Sequence, residues 1–111
     1  MPRFSQAHKE LLDSFLLNIP GVSSGKMFGY PAYFVWKKMF ACVYGDGVGL
    51  KLPEALANEL IGRDGITFFQ PMGRHIMREW VQINRAASAD YLGDMDLFEH
   101  SVKFVAEAKK D

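Results

Sequence analysis

"GKMFGYPAYFVWKKMFACVYGDGVGLKL", residues 25–52, decides the fold class. The segment "YPAYFVW" is apolar, "KK" interrupts it, and "MFACVY" is apolar again. "GDG" then breaks the chain, and "VGLKL" alternates, with Val48, Leu50 and Leu52 on one side and Gly49 and Lys51 on the other. Short apolar runs bounded by turn residues read as strands. Connections this short force antiparallel neighbours, because a parallel crossover needs about a dozen residues or more. The stretch therefore predicts a three-stranded meander, with residues 25–29 as a candidate fourth strand.

Gly25-Lys26 invites a phosphate-loop reading. Such a loop needs several glycines, then Lys and Ser or Thr, running into a helix whose N–H groups face the anion. Here Met27 and Phe28 follow in a strand pattern. The glycines are expected to serve architecture instead, with Gly25 and Gly29 relieving crowding and Pro31 marking an edge or a kink.

On either side of this core the period changes. "SQAHKELLDSFLLN" (5–18) predicts a helix with Ser5 as its N-cap and an inner stripe of Leu12, Phe15, Leu16 and Ile19. "NIPG" ends it. After the meander, "PEALANELIG" predicts a short helix starting at Pro53 and closing at Gly62. "ITFFQ" and "REWVQIN" read as strands, Val81 and Ile83 facing opposite to Trp80 and Gln82. Ser88 or Asp94 is expected to cap a last helix with Leu92, Met95, Phe98, Val102 and Val105 as its stripe, and Gly93 as a point where it splits. The sum is an α+β fold. One domain spans residues 1–111, an antiparallel meander sheet with N-terminal and C-terminal helices packed on it.

Composition narrows the function. Lys plus Arg number 13 and Asp plus Glu number 13, so the formal charge is zero. General polyanion affinity needs a positive excess. A lone cysteine, Cys42, makes no internal disulfide, which suits a reducing compartment. "MPRFSQAHKELLDSF" has no apolar run behind its positive charge, and no apolar window is long enough to span a bilayer. A cytoplasmic protein without membrane contact is expected.

Candidate chemistry is thin. His8, His75 and His100 lack metal-ligand spacing. Cys42 sits mid-strand, where a cysteine acts as a small packing residue. Glu10, Asp13, Asp90, Asp94, Asp96 and Glu99 fall on polar helix faces. The most suggestive run is "MGRHIMREW" (72–80), whose Arg74, His75 and Arg78 can converge on an anion beside the stacking face of Trp80. Lys26, Lys37, Lys38 and Lys51 sit near strand ends and turns, interleaved with aromatic residues. Together with Arg74, Arg78 and Arg85 they define a candidate nucleic-acid surface. Lysines at turns also discourage edge-to-edge pairing. No nucleophile–base–orienter set can be assembled, so no catalytic residue, metal or cofactor is expected.

The order of these motifs resembles the TfoX N-terminal-domain family. "KMFG", the "KMFA" hairpin, "LKLPEA" and "PMGR…REWV" carry the resemblance, which covers residues 25–109. It implies a small α+β domain of a bacterial competence and transcription regulator, acting through protein contacts without established catalytic residues. In full-length regulators of this family a second, helical domain follows. A weaker likeness to small DNA-binding domains of the MmcQ/YjbR type keeps nucleic acid as the alternative partner. A protein partner, including a second copy of the chain, is the first expectation. Nine Phe, four Tyr, two Trp and six Met supply more apolar surface than one small core needs to hide.

Overall fold

A computed structural model describes residues 3–71 and 77–108. The elements run α1 (Gln6–Leu16), β1 (Val22–Met27), β2 (Tyr30–Val35), β3 (Lys38–Tyr44), β4 (Gly47–Lys51), α2 (Glu54–Leu60), β5 (Ile66–Phe68) and β6 (Trp80–Asn84). A 3₁₀ segment (Ser88–Asp94) and α3 (Met95–Glu107) close the chain. The strands form one antiparallel sheet in the order β1-β2-β3-β4-β6-β5, so the α+β meander expected from the sequence is the observed architecture. It departs from a simple meander once. The chain leaves β4 through α2 to the far edge, forms β5, and returns as β6 into the slot beside β4.

Tight turns set the register of the first half. Met27 pairs with Tyr30 across Phe28-Gly29, and Val35 pairs with Lys38 across Trp36-Lys37. Phe28 (φ +51°), Gly29 (+89°), Trp36 (+49°) and Lys37 (+72°) all lie in the left-handed region. That is the backbone a type I′ turn requires, because its twist matches the strands it joins. The register then slips between Tyr33 and Phe34, where Phe40 bulges from β3. Tyr33 and Ala41 face one side, and Phe34 and Met39 face the other.

The two sheet faces differ. Val35, Val43, Val48, Leu50, Val81 and Ile83 join Leu12 and Leu16 of α1 and Phe98 and Val105 of α3 in the main core. Burying each such side chain contributes about 1.5–3 kcal/mol. On the opposite face Ala32, Cys42, Phe69 and Trp80 make a second, smaller cluster. A Cβ on Gly49 would stand 2.8 Å from the Phe69 ring, so the bare backbone of β4 is what lets that ring lie down. Tyr30, Tyr44, Phe69 and Trp80 then form an aromatic row, with successive centroids 4.7, 5.7 and 5.4 Å apart.

The helices follow expectation at their starts and depart from it at the end. Ser5 Oγ accepts from the His8 N–H at 3.1 Å and caps α1. Neither Ser88 nor Asp94 makes the side-chain cap expected of it. Ser88 is drawn to His8, and the Asp94 carboxylate takes both arms of Arg85 at 2.9 and 2.8 Å. A fixed guanidinium fork satisfies a carboxylate better than single backbone donors do. The inner stripe is corrected accordingly: Tyr91 is buried and Leu92 is half exposed. Among the described residues no helix is long and apolar enough to cross a membrane.

Candidate interaction surface

Gly25 and Lys26 lie within β1, a strand at the edge of the sheet, so no helix N-terminus meets them. A Cβ on Gly25 would meet the Phe34 ring at 2.9 Å, which accounts for the glycine by packing alone.

The candidate residues separate into three places. Arg78 and Trp80 border a cleft of about 400 Å³ between α2 and the β5–β6 edge. Its walls are Ala57, Ile61, Phe68 and Met77, with Asn58, Glu54 and Arg78 as polar groups. Trp80 is buried, with Phe69 against its ring at 5.4 Å and 32° between planes. Phe68 is 47% exposed and is the apolar side chain this cleft offers to solvent. Arg78 reaches Glu54 at 3.8 Å across the rim, an exposed pair of little energetic weight.

Lys38 and Lys51 meet in a second cleft of about 480 Å³ with Met39, Glu79 and Phe104. Lys51 stands 3.9 Å from Glu79, and Lys38 Nζ donates to the Ala108 carbonyl at 3.3 Å, at the end of α3. A cation there complements the helix dipole. Lys37 occupies the β2–β3 turn, and Lys26 lies toward the opposite end of β1. The lysines therefore form no single basic patch, and Lys51 and Arg78 are matched by carboxylates. Arg74 and His75 lie outside the described residues.

Cys42 and His8 are built into the packing of the fold. Cys42 is fully buried, and burial pushes its thiol up to about 12 despite an opposing hydrogen bond with the Gly49 backbone. It is therefore a neutral packing residue at any physiological pH. His8 is 5% exposed. Its Nδ1 lies 2.6 Å from Ser88 Oγ and its Nε2 3.2 Å from the Asp46 carbonyl. A carbonyl only accepts, so Nε2 carries a proton. With Tyr91 edge-on at 4.9 Å, this histidine ties α1, the β3–β4 turn and the 3₁₀ segment together. Among the described residues no group of three or more His, Cys, Asp or Glu is arranged to hold a metal ion.

Sequence reasoning missed most of the first cleft. Glu54, Asn58, Ile61 and Phe68 were not singled out, since they come from separate elements joined only by folding. One signal was available: in "ITFFQ" adjacent phenylalanines must face opposite ways on a strand. Phe69 is buried and Phe68 is left outside. A scan against protein-family models gives no match, and neither the curated proteins nor the solved structures contain a match.

Proposed function

We propose that this chain is a non-catalytic regulatory module that works by protein–protein contact, as its resemblance to the TfoX N-terminal domain implies, inside the cytoplasm. The observation that carries the proposal is the cleft between α2 and the β5–β6 edge. It combines an exposed aromatic, Phe68, with apolar walls and a charged rim of Glu54 and Arg78. A partly exposed aromatic in an apolar cleft with a polar border is the anatomy of a protein-binding hot spot. The partner class is a protein presenting an apolar side chain to that cleft, and the regulated process is transcription in bacterial competence.

The test uses the chain as bait in the cells that produce it. Wild-type and Phe68→Glu baits are purified and their retained proteins compared. A protein held by the wild type and lost from the variant, with both baits folded alike by circular dichroism, is the expected result. Identical sets would overturn the proposal. Nucleic acid is the second reading, supported by the exposed Lys26 and Lys37. It requires filter-bound affinity that falls steeply with salt.

A further inference from the structure

Ser88 differs from other hydrogen-bonded serines of the fold in the partner it meets. Ser14 Oγ donates to the Leu11 carbonyl at 2.6 Å, and Ser101 Oγ donates to the Phe40 carbonyl at 3.4 Å. Ser5 Oγ accepts from a backbone N–H. A carbonyl holds a hydroxyl proton in place but does not take it. Ser88 Oγ lies 2.6 Å from His8 Nδ1, a partner 80 residues away in sequence, and an imidazole nitrogen can act as a base.

The ring is turned the right way for that role. Its Nε2 faces the Asp46 carbonyl at 3.2 Å, so in the neutral ring the proton sits on Nε2 and Nδ1 is bare. The Ser88 hydroxyl therefore donates into Nδ1. A hydroxyl, a base and a group that orients the base are the parts of an activated nucleophile. Each part is held from behind. Ser5 Oγ receives the His8 N–H at the start of α1. The β3–β4 turn that carries Asp46 is tied to the start of the chain: the Gly45 N–H donates to the Arg3 carbonyl at 2.8 Å, and Arg3 Nη2 donates to Asp46 Oδ2 at 2.9 Å. Tyr91 stands edge-on to the imidazole, and its own hydroxyl donates to the Ile83 carbonyl at 2.7 Å. The base is buried, whereas Ser88 is partly exposed and Ala86, Ala87, Ala89 and Asp90 beside it are exposed. Three of those four carry only a methyl group, so the neighbours in sequence add little bulk around Oγ.

We propose that Ser88 is a site of covalent acylation by activated esters, with His8 Nδ1 as its base. Ser88 Oγ attacks the ester carbonyl carbon. The new Oγ–C bond forms, the ester C–O bond breaks, and the Oγ proton passes to Nδ1 and from there to the departing oxygen. Nothing is oxidised or reduced. One acyl group is taken up per chain, so the site adds a modification to the module and requires no turnover. It shares no residue with the cleft at Phe68, and either reading can fail without the other.

The probe is p-nitrophenyl acetate, applied to the intact folded chain, with the acetyl groups located by peptide mass spectrometry over a time course. Ser14, Ser23 and Ser24 are internal controls, because all three are more exposed than Ser88. Ser14 also has a hydrogen bond of the same length, to an acceptor that is not a base. Exposure alone would acetylate these three first. The proposal expects Ser88 to react about a hundredfold faster than any of them, the low end of what a positioned base contributes. His8→Gln keeps polar atoms at the buried position and removes the base, so it should erase that preference. The comparison of serines within the wild type does not depend on that variant folding. Ser88 acetylated no faster than Ser14, Ser23 and Ser24 overturns the proposal. So does a preference for Ser88 that persists in a His8→Gln chain with an unchanged circular dichroism spectrum.

Discussion

At the residue scale, polar side chains hold the ends of elements together. Arg85 is the clearest case. Its guanidinium grips a largely buried Asp94 and also donates to the Asp64 carbonyl at 2.9 Å. Arg85→Met leaves that carboxylate without its counter-ion, and the loss should be about 3 kcal/mol in urea unfolding. Asp13 gives a pH signature. Burial works against its charge, but the Lys9 hydrogen bond, the Tyr33 hydroxyl at 2.6 Å and the Lys9 charge outweigh it and lower its pKa. A lowered carboxylate stabilises the fold above its unfolded pKa and loses that contribution as pH falls through the folded one. The urea midpoint of wild type minus that of Asp13→Asn should therefore shrink between about pH 6 and about pH 3. A gap that stays constant would mean the charge contributes nothing. Lys37, at φ +72° in an exposed turn, gives the opposite sign. Lys37→Gly should raise the melting temperature, with a gain of about 1 kcal/mol.

At the element scale, the aromatic row on the second face depends on one missing side chain. Gly49→Ala places a Cβ against the Phe69 ring, a shift transmitted to Trp80. The expected cost is about 1–3 kcal/mol, read as a lower denaturation midpoint with altered tryptophan emission. Much of this level was legible beforehand. The strands of residues 30–52 announce themselves because turn residues cut the apolar runs at lengths a strand can hold. The start of β1 at Val22 was not legible, since "VSSGKM" neither alternates nor carries many β-branched residues. The insertion of β6 between β4 and β5 was also hidden, because strand order is decided by which faces bury together. The end of the chain was misread for a local reason. Ser88 and Asp94 are good caps by type, yet His8 and Arg85, distant or on another element, offer them stronger partners. Of the candidate site, Arg78 and Trp80 were visible as a run. The cleft they border was not, because α2 and Phe68 reach it only through the fold.

At the scale of the whole molecule, helices cover one face of the sheet and the smaller aromatic cluster lies on the other. Beside the β5 edge, Phe68 is left exposed at the cleft that α2 walls. The most direct measurement replaces Phe68 with a photo-crosslinking phenylalanine analogue in the producing cells, with Leu92, another exposed apolar position, as the control. Irradiation should give one discrete heavier species from position 68 and none from position 92. A chain that stays uncrosslinked at position 68, or that gives the same diffuse adducts at both, would contradict an interaction surface at the cleft.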